Sequence, residues 1–188
     1  MTAPTLQLGD PAPAFELVNV DGRLVRLDDY ASKPLLVAFL CNHCPFVKHI
    51  ADALGPFARD ALDAGVDMVA INANDYERYP EDSPAAMKRE VSTRGYGFPY
   101  LLDETQEVAR AYGAACTPDF FLFDGAHPAR VPWALRRQPT GRGRSVTGAD
   151  LRHAIERVVA GEPVPQPHPA SIGCGIKWRP SQEPRGDG

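Results

Sequence analysis

The chain has 188 residues, of which 44% are hydrophobic and 23% charged, and it carries a net charge of -4. At roughly 100–200 residues per domain this is one globular domain with room for a tail, large enough to need no disulfide staples. The acidic balance excludes a general affinity for nucleic acid, and no apolar run approaches the ~20 residues of a membrane span.

The segment GDPAPAFELVNVDGRLVRLDDY reads as a β-hairpin. Phe15, Leu17 and Val20 precede Asp21-Gly22, a strong hairpin turn signal, and Leu24, Val25 and Leu27 follow it. After Lys33-Pro34, LLVAFL is a short continuous apolar run, as in a buried parallel strand. Beyond Pro45, Phe46, Val47, Ile50, Ala53, Leu54, Phe57, Ala58 and Leu62 recur at helical spacing, and Gly65 closes that helix. VDMVAIN, 66–72, is the next buried strand. A polar loop with Pro80 and Pro84 leads to a helix from Pro84 to about Arg94. Glu104 to Tyr112 forms a short helix stopped by Gly113, and DFFLFD, 119–124, is a third strand. Residues 125–146 hold three prolines and five arginines and show no clean period. TGADLRHAIERVVAG is a well-signalled helix, with Thr147 or Gly148 as its cap, Leu151, Ile155, Val158 and Val159 facing inward and Gly161 at its end. The remaining PVPQPHPASIGCGIKWRPSQEPRGDG reads as an extended, partly disordered tail. Strands alternating with helices define an α/β domain with a central sheet. Domain boundaries of 1–161 and 162–188 follow, the second being the Pro-rich tail.

Residues 1–10 carry no Lys or Arg and no long apolar core, so no secretory signal is read and a cytoplasmic location is expected. In a reducing compartment four cysteines point to chemistry or metal rather than to structural bridges. Charge is unevenly spread: residues 1–124 carry 19 acidic and 10 basic side chains, residues 125–188 carry 5 and 10. A solvated loop and tail explain this split, a partner surface being the sharper alternative.

The stretch LVAFLCNHCPFVKHI places Cys41 and Cys44 three apart, where an apolar strand gives way to a helix. Structural zinc usually needs four ligands, and Cys116 and Cys174 form no second pair; a site from His43, His49 and Cys116 is not spaced like a zinc module, so no metal is expected. Inert packing is the bland reading, since free cysteine is among the most buried residue types. The redox reading supplies a mechanism. Unpaired N–H groups and the dipole at a helix N-terminus favour an anion, so Cys41 gains thiolate character, and thiolate is the attacking species in disulfide exchange. Cys44, expected on the first turn and facing the same way, can attack a mixed disulfide on Cys41. The intervening Asn42 and His43 tune the potential, and Pro45 fits a first turn because its missing N–H has no partner there. Cys116-Thr117-Pro118 stands just before the third strand, and its X-Pro bond is a candidate for cis geometry.

The strand–C-x-x-C–helix unit, the Thr-Pro before a strand and the opening GDPAPAF together resemble the thioredoxin-fold proteins of the redoxin branch, which includes the alkyl hydroperoxide reductase / thiol-specific antioxidant family. The blocks FLCNHCPFVKHI, INANDYERYPEDSP, YGAACTPDFFLFD and SIGCGIKW carry the resemblance over residues 8–124 and again at 146–180. It implies a thioredoxin fold, with a central four- or five-stranded mixed sheet flanked by helices, an N-terminal hairpin and an extended tail. It also implies Cys41 as the attacking thiol, Cys44 as the resolving thiol, and Thr117 with cis Pro118 as the substrate-binding backbone facing them. Cys116 then lies near the pair, as a core cysteine or a further redox or metal-binding thiol. Cys174, between glycines, is either an extra resolving thiol or a packed residue on a tail pinned by Ile172, Ile176 and Trp178.

The peroxiredoxin pattern P-x-x-x-[ST]-x-x-C, aligned on Cys44, requires proline at 37 and Ser or Thr at 41, and this chain has Val37 and Cys41. Dithiol exchange is therefore favoured over fast peroxide reduction. After the third strand, prolines interrupt the alternating strand expected of relatives, and five arginines replace an acidic turn. Asn74-Asp75-Tyr76-Glu77 reads as a polar turn, and His127, His153 and His168 as solvated. The resulting expectation is a thiol–disulfide oxidoreductase that needs no cofactor. Its partners are a protein or small-molecule disulfide and a thiol reductant, with no nucleic acid and no membrane. A peroxiredoxin-like antioxidant reducing hydroperoxides and a redox-sensing or metal-binding module without turnover are the alternatives.

Overall fold

The computed structural model describes residues 6, 10–125, 132–133, 148–164, 171–180 and 182–183. The expected hairpin forms as β1 (Glu16–Asn19) and β2 (Leu24–Arg26), with Gly22 at positive φ in its turn. The apolar run becomes β3 (Leu35–Phe39), buried at every residue. The helix behind the cysteines is α1 (Pro45–Asp63), and the next strand is β4 (Asp67–Asn72). Then come α2 (Pro84–Arg94), β5 (Tyr100–Leu102), α3 (Glu107–Tyr112), β6 (Cys116–Thr117), β7 (Asp119–Phe123), β8 (Pro132–Trp133), α4 (Ala149–Val159) and β9 (Cys174–Gly175).

Among the described residues, seven strands form one sheet in the order β2-β1-β5-β4-β3-β7-β8. β3 runs parallel to β4 and β4 to β5, while β7 runs antiparallel to β3, so the sheet is mixed. It is wider than the four or five strands implied by the resemblance because the hairpin joins through β5 and because Pro132–Trp133 extends it beyond β7. The remaining residues of 126–147, including His127 and Thr147, lie outside the described residues, as does His168.

A central strand covered on both faces needs no polar alternation, which explains LLVAF. Alternate side chains still divide between two cores. Leu36, Ala38, Met68, Ala70, Phe120 and Leu122 pack with α1 and α4 on one face. Val37, Phe39, Val69, Ile71, Phe121 and Phe123 pack with α3 on the other, where Phe39, Tyr112 and Phe121 meet edge to face.

β5 is absent from the sequence reading, β8 forms at Pro132–Trp133 where prolines are expected to interrupt a strand, and α3 and the tail also depart from that reading. α3 starts three residues later than expected, because Gln106 takes a left-handed conformation and the Asp103 carboxylate accepts from the Ala109 N–H. Within the tail, residues 171–180 are docked rather than loose. β9 pairs antiparallel with β6, Cys174 opposite Thr117, and Ile176 is buried in the second core with Trp178 packed against it. Ile172, named as a third anchor, is 52% exposed.

Candidate redox site

β3 and β4 run parallel and end side by side, which brings the loops after them together. The Leu40 N–H extends the pairing to the Ile71 carbonyl at 2.9 Å, and Cys41 follows at once. From β4 the chain continues into Asn74 and the loop that carries the short 3₁₀ turn Pro80–Asp82. From the far side β6 presents Thr117, joined to Pro118 by a cis peptide bond.

Thr117 holds both thiols. Cys41 Sγ lies 3.0 Å from Thr117 Oγ1, and the protonated Cys44 thiol donates to the Thr117 carbonyl at 3.2 Å. Both cysteines are buried, at 1% and 0% exposure. Cys44 is not on the first turn of α1 but caps it, and Pro45 occupies the first helical position, where no N–H is needed. That places the helix terminus at Cys44 rather than at Cys41.

Charge follows this placement. The Cys41 thiol bonds to the Cys44 sulfur and lowers its pKa to about 4, against the opposing effect of burial. The Cys174 thiol, the Val47 N–H and the Cys174 N–H add to the lowering. The Thr117 carbonyl accepts only from the protonated form and so resists ionisation; the donors prevail. Cys41 moves the other way, its proton held by the bond to Cys44, by burial and by the Asp82 charge. Cys174 rises to about 11 through burial and its bond to Cys44.

His43 and Asn42 are anchored by a residue the sequence reading passed over. Asp82, fully buried, accepts from the Asn42 N–H at 2.7 Å and from Asn74 Nδ2 at 2.8 Å, and it bonds His43 Nδ1 at 2.6 Å. The His43 ring stacks on Tyr79 at 5.2 Å between centroids. Asn74 belongs to the segment read as a polar turn, yet it is buried and its Oδ1 accepts from the Lys177 N–H of the tail. Asp82 and Asn74 both belong to the block INANDYERYPEDSP, which carries part of the family resemblance.

Among the described residues, Cys41, His43 and Asp82 could hold a metal ion, with one ligand atom from each lying within 4.8 Å of the others. The carboxylate is the ligand the sequence weighing lacked, and His49 and Cys116 are not part of the group. Cys116 is buried on β6 with its Sγ 3.9 Å from the Pro118 carbonyl oxygen. No helix among the described residues is long and apolar enough to cross a membrane.

Fold and site together define a thioredoxin-type fold with a thiol-based C-x-x-C centre at the start of α1. The chain belongs to the AhpC/TSA family, whose model matches residues 8–129. Two solved structures are similar over nearly the whole length. One is an uncharacterized conserved protein from Geobacillus kaustophilus, 48% identical, covering 96% of this chain and 97% of that one with a TM-score of 0.86. The other is a hypothetical protein from Sinorhizobium meliloti 1021, 45% identical, covering 95% and 98%, with a TM-score of 0.86. Curated relatives match in part. The thiol-disulfide oxidoreductase ResA of Bacillus thuringiensis is 24% identical over 119 residues, and the match spans 63% of this chain and 65% of that protein's length. A Mycobacterium tuberculosis protein named "Putative peroxiredoxin" is 34% identical over 115 residues, 56% of this chain and 63% of that protein.

The cytoplasmic expectation is corrected by these likenesses. The same fold is found in a secreted Mycobacterium tuberculosis disulfide oxidoreductase homologous to E. coli DsbE, 21% identical, covering 78% of this chain and 95% of that one with a TM-score of 0.56. The expectation rested on residues 1–10, which carry no Lys or Arg and no long apolar core. A disulfide oxidoreductase of this fold is secreted, so the composition of residues 1–10 assigns no compartment.

Proposed function

We propose that this protein is a thiol–disulfide oxidoreductase in which Cys44 carries the nucleophilic charge and Cys41 resolves. The carrying observation is the convergence of both sulfurs on Thr117 at the start of α1, with the charge favoured on Cys44. The Cys44 thiolate attacks one sulfur of a substrate disulfide, forming a mixed disulfide and expelling the other half as a thiolate, which takes the Cys41 proton. Cys41 then attacks Cys44 Sγ, closing the Cys41–Cys44 bridge and releasing the second half. Two electrons pass from the protein to the substrate. With an oxidised protein and an external thiol reductant the sequence runs backwards.

The resemblance implied attack by Cys41 and resolution by Cys44, and one experiment separates the two orders. The reduced Cys41→Ser and Cys44→Ser variants are mixed with glutathione disulfide and the adducts located by mass spectrometry. A faster adduct on Cys44 supports the assignment made here. A faster adduct on Cys41 reverses the roles, and no adduct on either sulfur refutes dithiol exchange.

Peroxide reduction is the second reading. It is favoured by the charge on Cys44 and by the peroxiredoxin-named relative, and weakened by Val37 and Cys41 where proline and a hydroxyl belong. Slow consumption of hydrogen peroxide by the reduced protein, against fast reduction of disulfides, is the expected result.

A further inference from the structure

Cys174 is the thiol that dithiol exchange leaves unused, and the fold takes trouble over its position. The tail is fixed on both sides of it. The Ile176 N–H donates to the Ala115 carbonyl at 3.2 Å, and the Lys177 backbone is held through its N–H by Asn74 and through its carbonyl by the Asp75 N–H, both at 2.8 Å. Upstream, Ser171 Oγ donates to Asp119 at 2.6 Å. At Gly173 the tail approaches so closely that an added Cβ would stand 2.3 Å from the Thr117 carbonyl oxygen. This docking sets Cys174 opposite Thr117, the residue that holds both active thiols. Cys174 packs against the core that contains Cys44, and it adds to the lowering of the Cys44 pKa.

Cys44 therefore has two thiol neighbours, Cys41 and Cys174. They differ in access. Cys41, Cys44 and Cys116 are buried, and Cys174 alone among the four cysteines is partly exposed. A strand lying along an open sheet edge is also how an extended peptide is usually bound. The tail thus occupies the edge beside the thiols and carries a cysteine at the register that reaches them.

We propose that Cys174 is a second resolving thiol, closing a Cys44–Cys174 disulfide through which a solvent thiol returns electrons to the buried pair. The inference rests on the assignment of the nucleophile to Cys44 made above. Cys44 thiolate and a disulfide RSSR′ give Cys44–S–S–R and R′S⁻, which takes the Cys174 proton. The Cys174 thiolate then attacks Cys44 Sγ, breaking its bond to R and releasing RS⁻. Protein and substrate balance at two electrons, and one S–S bond is made for the one broken. In the return direction a solvent thiolate attacks the partly exposed Cys174 Sγ and expels Cys44. A strongly acidic thiol is a fast leaving group, so the direction of opening follows from the same donors that hold the charge on Cys44.

The test uses the full-length reduced chain with Cys41→Ser, alone and combined with Cys174→Ser, treated with a small excess of glutathione disulfide. The expected result is a Cys44–Cys174 bridge in the single variant, mapped by non-reducing peptide mass spectrometry. The Cys44–glutathione adduct is expected to persist about tenfold longer, or more, once Cys174 is removed, since a tethered thiol acts at high effective concentration. A lasting Cys44 adduct with Cys174 free overturns the inference and leaves Cys44 as nucleophile. No adduct and no bridge overturns both. Wild-type protein oxidised in the same way keeps the test valid if Cys41→Ser does not fold. A Cys44–Cys174 bridge alongside Cys41–Cys44 supports the inference, and Cys41–Cys44 with Cys174 fully reduced refutes it.

Discussion

One sulfur, Cys44, collects most of the site's donors, and its charge should be visible by titration. Ionisation lowered to about 4 leaves Cys44 a thiolate across the neutral range, whereas Cys41 keeps its proton. The reduced wild-type protein is expected to show the ultraviolet absorbance of one thiolate at pH 6, lost as pH falls through about 4 and absent in Cys44→Ser. A thiolate that survives in Cys44→Ser and vanishes in Cys41→Ser would place the charge on the other sulfur. The sign for stability follows by linkage. Between about 4 and the ordinary thiol range near 8.5 the unfolded pair holds one proton more than the folded pair, so these groups make the reduced fold more stable as pH rises. Above that range the unfolded pair loses both protons while folded Cys41 keeps its own, and stability declines. The sequence showed that a C-x-x-C pair meets a helix N-terminus, which was enough to find the chemistry. It could not show which sulfur caps the helix, because helix starts are uncertain by a residue or two. Nor could it bring Asp82 to Asn42 and His43, some forty residues away, since that contact exists only once β3 and β4 end side by side.

Among the elements, those with a long period or a turn signal were legible, and the very short ones without either were not. β3, β4 and β7 are apolar at nearly every residue, and α1 and α4 carry strong helical spacing with glycine stops. β5 has three residues and β9 two, too few for any period to register. β9 is also Cys-Gly within a Gly-Cys-Gly run, a composition with little preference for strand. Its pairing comes instead from anchors outside it, Ile176 in the core and Lys177 on Asn74. The sequence reading held two alternatives for this tail, pinned or reactive, and the geometry makes them compatible, because the anchoring is what sets Cys174 against Cys44. Gly173 is the sensitive point of the docking. Replacing it with alanine forces a Cβ to within 2.3 Å of the Thr117 carbonyl oxygen, so β9 must leave β6 or β6 must shift. Gly173→Ala is expected to leave the circular dichroism and the urea midpoint near wild type while raising the alkylation rate of Cys44 severalfold. Unchanged alkylation would mean that the tail strand does not control access to the thiols.

At the scale of the whole molecule the sheet separates two cores, and the site draws on both. Cys41, Cys44 and the α1 face belong to one core, while Ile176, which anchors the tail, is buried in the other. A bridge between Cys44 and Cys174 would therefore tie α1 to a segment held on the opposite face of the sheet. The two disulfides open to Cys44 differ greatly in the chain they enclose. Cys41–Cys44 closes two residues and constrains the unfolded chain little. Cys44–Cys174 closes a loop of about 130 residues, and the chain-entropy model assigns such a loop about 5 kcal/mol of stabilisation. Urea unfolding of the Cys41→Ser variant, oxidised against reduced, should therefore show a large rise in midpoint, approaching that figure once converted with the measured slope. The oxidised Cys174→Ser variant, able to form only the short bridge with Cys44, should rise much less. A rise of the same small size in both would mean that the long loop is never closed, and the tail would then act only as a cover over the pair.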